Sequence, residues 1–166
     1  MRCACGSLMR ILVVWLALAG GAQAAQILGM TGRCLDAAGG SAAPGTPVIL
    51  WPCHGGANQQ WTLRDGQIVG IGGMCLDGQS AASGSPVILA ACTGTPAQRW
   101  VLRDRQIVGI GGLCLDVKGG RPINGTPIVL WSCHGGANQR WSMPADRPGL
   151  STPPPARSPG AGPARP

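Results

Sequence analysis

Val48-Ile49-Leu50-Trp51-Pro52-Cys53-His54-Gly55-Gly56-Ala57-Asn58-Gln59-Gln60-Trp61-Thr62-Leu63 runs into Arg64-Asp65-Gly66-Gln67-Ile68-Val69-Gly70 and then Cys75-Leu76-Asp77. This pattern returns twice with little change. The closing tryptophans Trp61, Trp100 and Trp141 fall 39 and 41 residues apart, and the leading cysteines Cys34, Cys75 and Cys114 fall 41 and 39 apart. Two independent marks with one period indicate three copies of one structural unit. A unit of this size is too small to bury a core alone, so the copies must fold together.

Both ends of the 166-residue chain read as separate from the repeats. Residues 1–24 carry Arg2 and Arg10, then the apolar run from Ile11 to Ala19, then Ala22-Gln23-Ala24. A basic start, a short apolar run and a small-x-small exit make a signal peptide. The apolar run is too short to cross a bilayer as a helix. Removing it takes away Cys3 and Cys5 and leaves six cysteines, two per copy. Of the fifteen pairings open to six cysteines, the repeat favours Cys34–Cys53, Cys75–Cys92 and Cys114–Cys133. An exported chain can keep such bonds, each worth roughly 3 kcal/mol in the chain-entropy model. His54 and His134 beside cysteines raise the question of zinc. No copy has the close cysteine pairs of a structural zinc site, and copy two has no histidine, so neither metal nor cofactor is expected.

The formal charge of +7 falls to +5 without the leader, and only 11% of residues are charged. With no Lys/Arg cluster in the repeats, the chain lacks the footprint of a nucleic-acid binder. Helix periodicity is absent and short β-prone runs recur between Gly- and Pro-rich turns. Copy one offers Arg33–Asp36, Pro47–Trp51, Gln60–Leu63 and Gln67–Val69, the last two joined by an Asp-Gly hairpin turn. Four strands per copy make twelve in an all-β fold. Copy three lacks its fourth strand, but Gln26-Ile27-Leu28-Gly29 matches Gln67-Ile68-Val69-Gly70 and Gln106-Ile107-Val108-Gly109. The two ends of the repeat region therefore close against each other, which removes exposed sheet edges. Residues 144–166 hold eight prolines and read as an extended, disordered tail.

Cys-Leu-Asp and Gln-x-Trp three times over, with Trp-x-Cys in copies one and three, resemble the ricin B-type lectin domain, a β-trefoil carbohydrate-binding module. The resemblance covers residues 26–143. It implies a six-stranded barrel capped by three hairpins, with pseudo-threefold symmetry and one shallow sugar pocket per copy. The domain is assigned to 25–143.

Positions identical in all three copies read as structural. Trp61, Trp100 and Trp141 belong in the core, each indole N–H needing one partner. Gln59, Gln98 and Gln139 bond strand backbone near the hairpins, and in the family this Gln also steadies the sugar-contacting Asp. Positions shared by copies one and three but lost from copy two read as a co-operating surface set. Trp51 and Trp131 become Ala90, His54 and His134 become Thr93, and Asn58 and Asn138 become Ala97. An indole offers a platform for the apolar face of a pyranose. A carboxylate accepts two hydroxyls strongly, while Asn and His donate or accept. The resemblance implies the same assignment. The sugar-binding sets are Asp36, Trp51, His54, Asn58 and Gln59, and Asp116, Trp131, His134, Asn138 and Gln139, for galactose- or xylose-type sugars. Ile49 and Val129 stand where many family sites have a polar side chain. Asp77 in copy two reads as a turn-stabilising carboxylate in a vestigial site.

No catalytic set is visible. The chain has no Glu, and Asp36 and Asp116 belong to different pockets, too far apart for a glycosidase pair. The expected protein is a non-catalytic secreted or periplasmic lectin whose partners are glycans or polysaccharide, for which a monomer suffices. A protein-interaction or inhibitor β-trefoil is the alternative, but no single distinctive loop marks one. Asn124-Gly125-Thr126 fits the N-glycosylation pattern and is also an ordinary loop sequence. Expressed in a secreting host, the mature chain should begin at Ala25, which N-terminal sequencing or intact mass would read directly.

Overall fold

The computed structural model describes residues 23–143, and within that span the chain is all β with short 3-10 turns. The proline-rich tail and all but the last two residues of the leader lie outside the described residues. The named strands are β1 (Cys34–Ala37), β2 (Val48–Trp51), β3 (Thr62–Arg64), β4 (Gln67–Val69) and β5 (Cys75–Asp77). They continue with β6 (Ile88–Ala90), β7 (Val101–Arg103), β8 (Gln106–Val108), β9 (Cys114–Val117) and β10 (Thr126–Trp131).

Each copy contributes one antiparallel barrel pair. In β1–β2, Leu35 faces Leu50; in β5–β6, Leu76 faces Leu89; in β9–β10, Leu115 faces Leu130. All six leucines are fully buried. Side chains alternate along a strand, so the neighbouring Asp36 and Ile49 turn to the opposite face. The pairs close on one another with the same bond at each junction. Gly45 N–H donates to Leu89 O, Gly84 N–H to Leu130 O and Gly125 N–H to Leu50 O. The result is the six-stranded barrel of a β-trefoil.

The hairpins β3–β4 and β7–β8 cap this barrel. Asp65 and Gly66 turn the first with φ of 49° and 75°, and Asp104 and Arg105 turn the second with 50° and 64°. Both central residues left-handed is the hairpin turn whose twist suits antiparallel strands. The twelve expected strands appear as these ten plus two segments reduced to single bridges. Leu28 bridges both Ser142 and Cys34, as Val69 pairs Thr62 and Cys75, and Val108 pairs Val101 and Cys114. The N-terminal segment thus completes the third hairpin. Ala25 also exchanges backbone hydrogen bonds with Trp61, its N–H donating to Trp61 O and its carbonyl accepting from Trp61 N–H, each at 2.9 Å. A chain beginning at Ala25 keeps both groups of that residue.

Trp61, Trp100 and Trp141 are 1%, 3% and 1% exposed, and their indole N–H groups donate to Leu35 O, Leu76 O and Leu115 O. The glycine ending each Gln-Ile-x-Gly run lies against one of these rings. A Cβ on Gly29, Gly70 or Gly109 would stand 2.6 Å from Cζ3 of Trp141, Trp61 or Trp100 respectively. Their backbone is extended, so the requirement is space and not conformation. The disulfides Cys34–Cys53, Cys75–Cys92 and Cys114–Cys133 are formed as the repeat suggested. Among the described residues no helix is long and apolar enough to cross a membrane.

Gly70→Ala should lower unfolding stability by about 1–3 kcal/mol through overpacking against Trp61. Chemical denaturation checks this, with a midpoint equal to the parent's counting against it.

Candidate functional site

The site grows from the glutamine of each Gln-x-Trp motif. Gln59 is fully buried, and every hydrogen-bonding group of its amide is engaged. Its Nε2 donates to Asp36 Oδ2 at 2.7 Å and to Pro52 O at 2.9 Å. Its Oε1 accepts from Gln26 Nε2, His54 N–H and Gly55 N–H. Gln98 and Gln139 repeat the scheme on Asp77 and Asp116, receiving Gln67 and Gln106. The amide holds the aspartate, the loop after the second cysteine and the neighbouring hairpin strand in one arrangement.

Asp36 lies in a cleft of about 380 Å³ with Gly39, Gly40, Ile49, Trp51, His54 and Asn58. The expected residues Asp36, Trp51, His54 and Asn58 are therefore brought together. Gln59 stands behind them, touching Asp36 but not lining the cleft. Trp51 is 38% exposed while Asp36 is only 2% exposed, so an open indole stands beside a recessed carboxylate. His54 Nδ1 accepts the Gly56 N–H at 3.1 Å and its Nε2 stands 3.4 Å from Asp36 Oδ2. A ring nitrogen that accepts a backbone N–H is unprotonated, which assigns the neutral ring its proton on Nε2, facing the carboxylate.

Copy three reproduces the set. Trp131 is 47% exposed and Asp116 3%. His134 accepts from Gly136 N–H and approaches Asp116 Oδ2 at 3.6 Å. One contact differs: Asn138 Nδ2 donates to Asp116 Oδ2 at 2.8 Å, whereas Asn58 Nδ2 donates to Ala37 O at 3.2 Å.

In both copies Oδ2 is occupied and Oδ1 accepts nothing from the described residues. Copy two is different. Asp77 Oδ2 takes the Gln98 amide and Oδ1 takes Gln79 N–H at 2.7 Å, closing a turn. The span from Cys75 to Cys92 is two residues shorter than its counterparts, 17 against 19. The glycine turn present at Ala38–Gly40 and Lys118–Gly120 has no equivalent there. Copy two has therefore lost the floor of the cleft along with its platform.

Four glycines escape a reading of the sequence for polar groups. Gly39 and Gly40 line the cleft. A Cβ on Gly56 would sit 2.7 Å from His54 Cε1 and 2.8 Å from Asn58 Oδ1, and Gly136 has the same geometry with His134 and Asn138. Copy two carries Thr95 at that position. The glycine vanishes with the histidine and asparagine it accommodates, and that co-variation was the available signal.

Residues 23–141 match the family model of the ricin-type beta-trefoil lectin domain. The chain belongs to this family. Among solved structures, the designed threefold-symmetric protein ThreeFoil is 31% identical, with a TM-score of 0.64 over 70% of this chain and 94% of that one. A non-toxic homologue of type II RIPs from Momordica charantia, solved with α-methyl-D-galactoside, is 28% identical, with a TM-score of 0.65 over 72% of this chain and 47% of that one. The probable lipoprotein EnvE of Salmonella typhimurium is 50% identical over 38 residues, 23% of this chain and 22% of its own. The lectin-domain chain spans about a fifth or less of the length of the curated relatives it matches. The matched module is a lectin domain. Among the described residues no three His, Cys, Asp or Glu side chains are grouped to hold a metal ion.

Gly56→Thr, which installs the copy-two residue, should displace the His54 ring. In mildly alkaline solution, nitrogen-detected NMR of the parent should show unprotonated Nδ1 and protonated Nε2 at both histidines. The variant should lose that signature at His54 and keep it at His134.

Proposed function

We propose that this protein is an exported, non-catalytic carbohydrate-binding protein that takes galactose- or xylose-type pyranoses through the clefts of copies one and three. One observation carries the reading: an exposed indole stands beside a recessed carboxylate with one oxygen unoccupied, in those two copies and not in copy two. A pyranose laid on Trp51 would bring adjacent hydroxyls to Asp36 Oδ1, the strongest acceptor in the cleft. Asn58 and His54 would serve the remaining hydroxyls, and Gln59 would act by holding Asp36. Copy three would use Asp116, Trp131, His134, Asn138 and Gln139 in the same roles.

Family membership supports carbohydrate binding in general. The galactoside held by the bitter-gourd relative supports a galactose-type ligand here. Ile49 lines the cleft as an apolar wall, which favours a sugar with few demands on that side. Export to a secreted or periplasmic setting is supported by the leader and by three disulfides among the described residues.

One ring face and a few hydrogen bonds give weak sites, with a Kd of about 0.1–1 mM each. Two such sites on one rigid barrel gain avidity on a polymer or a glycan-dense surface. On a glycan array and by titration calorimetry, Trp51→Ala or Trp131→Ala should each remove one site and weaken binding to multivalent glycans at least tenfold, in line with lost avidity. The double variant should bind nothing. Sugar binding that survived in the double variant would exclude these clefts.

A further inference from the structure

The two clefts share their aspartate, indole, histidine and asparagine, yet their rims differ in charge. The cleft floor in copy one is the Gly39-Gly40 turn, flanked by Ala38 and Ser41. In copy three the equivalent Gly119-Gly120 turn is flanked by Lys118 and Arg121. Both cations are exposed, and neither has a carboxylate within ion-pair distance among the described residues.

Arg121 is directed by its surroundings. Its carbonyl accepts Ile123 N–H at 2.8 Å and Thr126 Oγ1–H at 3.0 Å, which fixes the backbone. Pro122 follows it and restricts its backbone to extended conformations. Its Cγ lies 4.0 Å from where a Cβ on Gly119 would stand, so the stem runs over the turn that matches the floor of cleft one. Ser41 does the opposite: its Oγ turns inward, accepting from Ala43 N–H and Thr46 Oγ1–H. In copy one both floor glycines face open space. Arg33, which precedes β1, is tied to Asn124 and is not among the residues lining that cleft.

We propose that the copy-three cleft selects anionic pyranoses, those carrying a carboxylate or sulfate, while the copy-one cleft takes the neutral ring. This rests on the two-cleft sugar reading and assigns the two clefts different ligands. Asp116 would hold ring hydroxyls, and Lys118 and Arg121 would meet the acidic substituent at the rim. Solvent-exposed ion pairs are modest and screened by salt, so the two cations together give a preference on the order of five- to tenfold at low ionic strength.

The test separates the clefts in the full chain. Trp51→Ala leaves copy three and Trp131→Ala leaves copy one. Each is titrated by NMR with galactose against galacturonic acid, and with xylose against glucuronic acid, which adds a carboxylate to the same ring. The expected result is a preference for the acid in Trp51→Ala only. That preference should shrink in high salt and disappear in Lys118→Ala/Arg121→Ser, which keeps binding to the neutral sugar. Equal preference in both forms, or none in Trp51→Ala while the neutral sugar still binds, overturns the proposal. If neither form binds any of the four sugars, the two-cleft reading itself fails and this proposal falls with it.

Discussion

A primary amide sealed in a protein interior must find partners for two donors and its carbonyl oxygen, since an unpaired one costs about 1–3 kcal/mol. In this lectin domain the amide of Gln59, and its counterparts Gln98 and Gln139, meets that demand with one set of partners drawn from four places in the chain. They are the preceding aspartate, the carbonyl before the second cysteine, the loop after it, and a glutamine on a neighbouring hairpin strand. Moving any of them leaves a buried polar group unmatched. The same amide decides which carboxylate oxygen is tied down and which is left toward solvent. Packing of the core and the shape of the cleft therefore depend on one residue.

Threefold repetition separates these two demands. The junction bonds from Gly45, Gly84 and Gly125 are the same at all three seams, as are the tryptophan contacts with Leu35, Leu76 and Leu115. Copy two keeps all of them while its surface loop is two residues shorter and its aspartate closes a turn. The barrel needs the inward face of each unit, and the outward face is free to change. A change in the outward loop of one unit is accordingly invisible to the core.

Much of this was legible because the chain carries its own comparison. Trp61, the six cysteines and the closing glutamines are identical in every copy and proved to be buried or bonded in every copy. Trp51, His54 and Asn58 stood out because copy two lacks all three, and the fold gathers them beside Asp36. What stayed hidden depends on the path of the backbone in space. Gly56 matters because His54 folds back over it. Asn58 and Asn138, identical in local sequence, choose different acceptors. The short loop of copy two gave no hint that its missing residues were a cleft floor. The Gly-Thr of Asn124-Gly125-Thr126 recurs as Gly45-Thr46, and both threonine hydroxyls bond a carbonyl three residues back. That half of the apparent modification signal is turn chemistry.

The seam between Leu28 and Ser142 has a further implication for how the domain can be wired. The strand that completes the last hairpin is supplied by the opposite end of the described span, so the first and last segments of that span lie side by side. A short linker across that gap, with new ends opened at the Asp65–Gly66 turn, would give a circular permutant in which copy two, copy three and then copy one follow in order. The hairpin now assembled from distant ends would become contiguous in sequence. Its closure would then carry the small entropy of a short loop instead of that of the whole domain.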